Sequence, residues 1–256
     1  MTDRLHFSDL KHIAKSPAHY LYAVMHERKQ EGHERLGTAL HLLLLGQPER
    51  VILYDGRRYG KKYDEWFAKQ PLGAVVVNPT EAGHLREMAL SVQNHPSAWQ
   101  LLRDQQTCEQ MMQWNWLGRA CEGTPDSFSL ENLVELKTGR TVQPTRFVSQ
   151  GRWFGYHAQL AWYRRGLIES GFGTPASLWI VAAESAPPYP VTVFRLTEQA
   201  IEQGERACRA WLEQLKVCEE SGSWPAYTEA VVPFDVPDEE GESFSLRIDG
   251  EDVEVA

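Results

Sequence analysis

Glu135 and Lys137 stand two residues apart in the run Leu133-Val134-Glu135-Leu136-Lys137, and Asp126 precedes Glu135 by nine positions. A β-strand repeats every two residues, so Glu135 and Lys137 share one face and Leu136 faces the core. A hairpin with one strand over about Arg119 to Phe128 and a turn through Glu131 and Asn132 would fold the Asp126 carboxylate against that pair. Two carboxylates and an amine then converge. Such a set suits divalent-metal hydrolysis of a phosphodiester, because Mg²⁺ takes oxygen ligands and is usually held by one or two carboxylates plus the substrate phosphate. A lysine beside the ion can orient or deprotonate the attacking water and offset charge developing on the phosphorane. Glu-x-Lys alone is more often an ordinary surface pair. What singles this one out is the Gly-Thr-Pro-Asp turn at 123–126 and the apolar run that leads into the charges. Without an ion the carboxylates repel, so one should hold its proton to unusually high pH, and Asp126→Asn should stabilise the metal-free fold.

Several elements must position these groups. The helical pattern from Glu34 to Leu45 ends at Gly46, and it places Gly37 and His41 on one face, with the glycine leaving room beside the imidazole. By itself His41 reads as a packed core histidine; beside the carboxylates it becomes a candidate metal ligand or phosphate contact. Thr107 to Leu117 alternates as a strand, leading through Gly118 into a three-stranded meander, and by that alternation alone Glu109 reads as an exposed strand residue. A helix from about Phe154 to Ser170 sets Gln159 and Tyr163 four apart on one face, with Arg152 just before it.

These residues carry a resemblance. Pro125-Asp126 followed by Glu135-Leu136-Lys137 resembles the signature of the PD-(D/E)XK nuclease superfamily. The segment GTALHLLLLG with His41, the Gln159-x-x-x-Tyr163 spacing in YHAQLAWYRRG and the opening LHFSDLKHIAKSPAHYLYA resemble one branch of it, the exodeoxyribonuclease VIII-type (RecE-type) recombination exonucleases. The ordered set from about Leu5 to about Tyr163 is more specific than any one motif. The resemblance implies a restriction-endonuclease-like α/β core, with a central mixed β-sheet flanked by helices. It implies Mg²⁺ or Mn²⁺ held by Asp126, Glu135 and the Leu136 carbonyl, with His41 and Glu109 completing the shell, Lys137 acting on the water, and Gln159 and Tyr163 orienting the phosphate or the lysine. It further implies resection of linear duplex DNA from the 5′ end, a single-strand annealing partner and room for a homo-oligomeric ring. A structure-specific or single-strand nuclease on the same scaffold is the alternative, as is an inactive DNA- or partner-binding module. Glu135 stands where many of these exonucleases have aspartate, and the superfamily accepts either.

The remaining sequence sets bounds. The formal net charge of −9 looks wrong for a DNA enzyme. Residues 235–256, however, carry nine acidic side chains against Arg247 alone, so the rest of the chain is nearly neutral and a local basic groove is compatible with it. The expected organisation is one domain over 1–234 and an acidic hairpin over 235–256 turning at Asp249-Gly250, which shields the groove, contacts a partner or keeps the protein soluble. Arg57, Arg58, Lys61 and Lys62, interleaved with Tyr54, Tyr59 and Tyr63, form either a phosphate and base grip or a solvated loop. Arg140, Arg146 and Arg152 are further candidate DNA contacts. Four cysteines without a C-x-x-C pair argue for free thiols over zinc or an iron–sulfur cluster. No apolar run long enough to span a bilayer and no leader is visible, so a cytoplasmic protein is expected.

Overall fold

Ser16 and Thr197 cap helices where the sequence places them, but the strands sort into sheets by a rule the local pattern does not contain. The structure, a computed structural model, describes residues 4–26, 32–103, 107–234, 244–248 and 251–255. It divides into a unit of residues 1–226 and a unit of residues 227–256.

In the first unit, Leu5–His6 (β1) runs into the short helix Phe7–Leu10 (α1) and a 3₁₀ turn, Lys11–Ala14. Ser8 reads as the N-cap, yet His6 occupies that place and makes no capping bond. Ser16 does cap the next helix, Pro17–Met25 (α2), accepting the His19 N–H with proline at the first position. Gly32–Leu44 (α3) carries His41. Val51–Leu53 (β2) and Val75–Val77 (β3) pair in parallel, with Lys61–Phe67 (α4) between them. Pro79–Asn94 (α5) begins one residue earlier than its Thr80 suggests, because Asn78 and Glu81 form a capping box. Pro96–Arg103 (α6) follows.

The single strand expected over Thr107 to Leu117 is broken into Thr107–Cys108 (β4) and Met112–Trp116 (β5), with Glu109 between them at φ 47°. Along β5 the alternation holds: Met112, Trp114 and Trp116 are buried while Gln113 and Asn115 are exposed. The expected hairpin and meander also come apart. Arg119–Gly123 (β6) pairs antiparallel with β5 and parallel with β1 in a three-stranded sheet, whereas Ser127–Phe128 (β7) belongs to another sheet. The chain changes sheets at Thr124-Pro125-Asp126, where Pro125 has no N–H to continue a ladder. Antiparallel to β7 runs Asn132–Gly139 (β8), after a turn closed by the Ser129 N–H on the Asn132 carbonyl at 2.8 Å.

The helix expected from about Phe154 to Ser170 is present as Tyr156–Glu169, and a helix not expected from the sequence, Pro144–Phe154 (α7), precedes it; Gly155 at φ 75° separates α7 from this second helix (α8). Ser177–Glu184 (β9) lies parallel to β8, Val191–Arg195 (β10) is antiparallel to β9, and Glu198–Ser221 (α9) is capped by Thr197 as its sequence indicates. The five-stranded sheet therefore reads β10-β9-β8-β7-β4 and is mixed. It separates two apolar cores. Leu133 of β8 joins Trp162, Leu160 and Leu212 on one side, while Val134 and Leu136 join Leu40 and Met88 on the other. A central mixed sheet flanked by helices is the architecture the sequence implies.

In the second unit, Phe244–Ile248 (β11) and Glu251–Val255 (β12) pair antiparallel as expected; the Asp249-Gly250 turn lies outside the described residues. All four cysteines are free, Cys108 exposed and Cys121, Cys208 and Cys218 buried. No described helix is long and apolar enough to cross a membrane.

Candidate active site

On β8 the expected alternation brings Glu135 and Lys137 to one face, and their side chains meet: Lys137 Nζ donates to Glu135 Oε2 at 2.8 Å. Glu135 is only 2% exposed and Lys137 17%. The β6-to-β7 crossing delivers Asp126 to the same place. Its backbone N–H donates to Glu135 Oε1 at 3.2 Å, and its own Oδ2 accepts the Leu136 N–H at 2.6 Å. Asp126 thus straddles β8, touching the catalytic-type carboxylate with its main chain and the next residue's main chain with its side chain.

His41 reaches this point from α3. Its Nδ1 is 2.8 Å from the Gly37 carbonyl, and its Nε2 is 2.8 Å from the Leu136 carbonyl and 3.1 Å from Asp126 Oδ2. With an acceptor at each nitrogen the ring is an imidazolium. Burial alone would lower its pKa, but the Asp126 carboxylate outweighs burial and lifts it to about 9. The space that Gly37 provides serves a different neighbour from the one expected: a Cβ there would come within 2.7 Å of Thr138 Oγ1. The glycine lets α3 approach β8.

The charges settle one another's protonation. Burial would raise the Asp126 pKa, yet His41 beside it holds the carboxyl below its usual range. Glu135 takes the opposite course: burial, followed by the Asp126 charge, pushes it up to about 7. Like-charge crowding therefore falls on Glu135. Lys137 is held as an ammonium, because Glu135 and Asp126 outweigh the cost of burying it. Asp126 is paired with a cation, so Asp126→Asn would leave a buried imidazolium without its counter-charge, which argues against the expected gain in stability.

Glu109 is not an exposed strand residue. The break after β4 turns it beside Asp126, whose carbonyl accepts the Glu109 N–H at 3.0 Å, and burial together with Asp126 raises its pKa. Gln47, which the sequence does not single out, donates to the Glu109 carboxylate and is itself held by Arg50. From α8, Gln159 donates to the Tyr163 hydroxyl at 3.1 Å, and burial and Glu135 raise the pKa of that phenol. Tyr156 was also unmarked by any motif; its ring faces Lys137 Nζ at 5.4 Å to the centroid.

Lys137, Tyr156, Gln159 and Tyr163 open onto a groove of about 870 Å³ that Arg140 also borders. Arg146 and Arg152 are exposed on α7. In the 51–69 segment Arg58 is tied to Glu81 at 2.6 Å and to the Val76 carbonyl at 3.0 Å, while Arg57, Lys61 and Lys62 are exposed. Tyr54 and Tyr63 pack on Trp66 and on each other. Tyr59 is exposed.

A family model for a PDDEXK-like domain of unknown function (DUF3799) matches residues 6–233. The chain belongs to this family. The fold of this PDDEXK-like domain has a close counterpart in the crystal structure of a candidate exonuclease from Eubacterium rectale. The two share 10% identity at a TM-score of 0.66 over 93% of this chain and 92% of that one. An alkaline exonuclease from Laribacter hongkongensis, LHK-Exo, overlaps more loosely. It is 15% identical at a TM-score of 0.33 over 70% and 94% of the two chains, and its complex with dAMP gives 13%, 0.30, 74% and 95%. No curated protein sequence matches the chain.

Among the described residues, no three His, Cys, Asp or Glu side chains are placed so that together they could hold a metal ion in this conformation. The donor set nevertheless fits a hard divalent ion. Two carboxylates and a main-chain carbonyl converge, and the groups that meet them are the imidazolium of His41 and the ammonium of Lys137, cations at the place where an ion's charge would be balanced.

Proposed function

We propose that this protein is a divalent-metal-dependent exodeoxyribonuclease that resects linear duplex DNA, 5′ to 3′, leaving a 3′ single strand for an annealing partner. The observation that supports it most directly is the convergence of Asp126, Glu135 and Lys137 beside a groove, within a PDDEXK-like fold. Polarity, the annealing partner and assembly into a homo-oligomeric ring come from the resemblance of the motifs to exodeoxyribonuclease VIII-type enzymes.

In this reading Asp126, Glu135, the Leu136 carbonyl and His41 Nε2 hold Mg²⁺ or Mn²⁺, with Glu109 close by. The ion supplies Lewis-acid stabilisation of the phosphate and acidifies water. Protons on Glu135 and on His41 Nε2 have to leave before either group can be a ligand. Lys137, kept as an ammonium by two carboxylates, orients the attacking water and balances charge building on the phosphate oxygens. Gln159 and Tyr163 steady the phosphate side of the lysine. Arg57, Lys61, Lys62, Arg140, Arg146 and Arg152 contact the DNA backbone, and Arg58 holds the loop that carries the first three.

The test is incubation of the protein with end-labelled linear duplex and closed circular duplex in Mg²⁺, Mn²⁺, Ca²⁺ or EDTA. Linear DNA should shorten from its 5′ ends in Mg²⁺ or Mn²⁺, with circles intact and little turnover in Ca²⁺. Lys137→Ala should bind DNA within a few-fold of wild type and cut it slower by a factor on the order of 10². Cutting of circles would point to a structure-specific or single-strand nuclease; binding without cutting in any metal would leave a DNA-binding module.

A further inference from the structure

The groove beside Lys137 has an aromatic wall that the hydrolytic groups do not use. Phe154, the last residue of α7, is 52% exposed and borders the groove. Its ring lies 5.8 Å from that of Tyr156 at a 35° tilt, and Phe147 is a second neighbour of Tyr156, again at 5.8 Å. The Tyr156 ring also carries Lys137 Nζ over its face. A run of rings therefore leads from solvent at Phe154 to the ammonium in two steps.

The chain builds this wall deliberately. Gly155 at φ 75° ends α7 and starts α8, which turns the Phe154 and Tyr156 side chains toward each other. Gly151, one turn back, leaves the Tyr156 ring its place, since a Cβ there would approach Tyr156 Cδ2 to 3.0 Å. Tyr156 is thus fixed, while Phe154 keeps a face in water. One exposed apolar side chain is ordinary. An exposed ring at the mouth of a groove that also holds Lys137 and Arg140 is the pairing of base-stacking surface with phosphate-binding cations found where proteins take unpaired nucleic acid.

We propose that Phe154 and Tyr156 form a stacking subsite for one unpaired nucleobase of the strand being cut. This rests on the nuclease reading and adds to it a requirement on the substrate. A paired base inside a duplex offers no free face, so the nucleotide in the subsite is separated from its complement. The ring left exposed to the base is that of Phe154, which has no hydrogen-bonding group, so stacking on it accepts any of the four bases and discriminates against a nucleotide that has none.

The experiment uses the full chain in Ca²⁺ with linear duplexes that end in two unpaired 5′ nucleotides, 2-aminopurine replacing each terminal base in turn. Wild type should quench the fluorescence at one position. Phe154→Ala should lose that quenching and bind this DNA weaker by on the order of tenfold. Phe154→Trp should retain both. Trp153, 80% exposed next door but not bordering the groove, is the control: Trp153→Ala should behave as wild type. In Mg²⁺, wild type should cut slowly when an abasic nucleotide occupies the quenched position, and Phe154→Ala should cut normal and abasic DNA alike. Thermal melting checks that each variant is folded, and Phe154→Leu replaces the alanine variant if that one is not. Unchanged quenching and affinity in the variant, an equal loss in Trp153→Ala, or wild-type indifference to the abasic site would overturn the subsite while leaving the nuclease in place. A protein that cuts no DNA in any metal overturns the nuclease reading, and the subsite with it.

Discussion

Lys137 and Glu135 sit 2.8 Å apart, and the location of the proton between them limits what each can do. From sequence alone a lysine at this position could orient water or deprotonate it. In the metal-free protein two buried carboxylates keep it an ammonium, the form suited to the first role. Asp126 is governed by a different partner. Its carboxyl lies below the usual range because of His41, so the ionised form favours the folded state above the ordinary aspartate range, and this contribution is lost as pH falls through the lowered value. At neutral pH in EDTA, Asp126→Asn should therefore lower the melting temperature by several degrees, the scale expected for breaking a buried charge pair in a unit of this size. The same variant should show little of the upward shift that millimolar Mg²⁺ or Mn²⁺ gives wild type. A full metal shift in the variant would remove Asp126 from the ligand set, and a higher melting temperature in EDTA would show that carboxylate repulsion outweighs the histidine pair.

At the level of elements, the site depends on how closely α3 lies against β8. Gly37→Ala puts a Cβ 2.7 Å from Thr138 Oγ1, with Thr138 Cβ at 3.9 Å. The substitution should cost about 1–3 kcal/mol of stability and slow cleavage by moving His41, although Gly37 touches no substrate. Removing the hydroxyl with Thr138→Ala should restore most of both losses, a coupling that melting and rate measurements on the double-mutant cycle would read. Equal damage in the single and double variants would mean that the glycine serves the helix and not the contact. What the sequence makes legible follows the same division. The β8 alternation, the α3 helix with its histidine and the Gln159/Tyr163 spacing are local periodicities, and each appears in the fold. The assignment of β6 and β7 to different sheets is not local. The pattern from Arg119 to Phe128 reads as one strand because its partners, Leu5–His6 on one side and β8 on the other, leave no mark on it. A two-residue strand such as β1 is too short to show a period. Gln47 and Tyr156 carry no local signal for a related reason: each meets the site through a side-chain contact with a residue distant in sequence.

For the whole unit, Glu81 ties together parts that flank the site. It caps α5 with Asn78, takes Arg35 from the helix that carries His41 at 2.5 Å, and takes Arg58 from the loop after β2. Burial opposes its charge, but the Arg58 hydrogen bond, the Asn78 N–H and Arg35 bring its pKa down to about 2. A carboxyl depressed in the native state stabilises it above the ordinary value near 4.5, and the contribution disappears as pH falls from there to about 2. Glu81→Gln should thus be less stable than wild type at pH 7 by on the order of 1–3 kcal/mol, and the two denaturation curves should approach each other between pH 4.5 and 2. A gap that persists undiminished at the acid end would assign the loss to packing.

The parallel pairing of β8 with β9 also bears on when activity can arise during synthesis. A growing chain that has released Lys137 from the ribosome already holds His41, Asp126 and Glu135, yet β8 then has only the two-residue β7 beside it. Its eight-residue neighbour, Ser177–Glu184, arrives after both α7 and α8, and α9, which packs on α8, is the last element of the first unit to arrive. Protein chains fold by domains from the N-terminus as they emerge. Here the strand that carries Glu135 and Lys137 has to wait for a partner that follows two helices later in the chain, so a chain still being translated holds those side chains without the framework that aligns them.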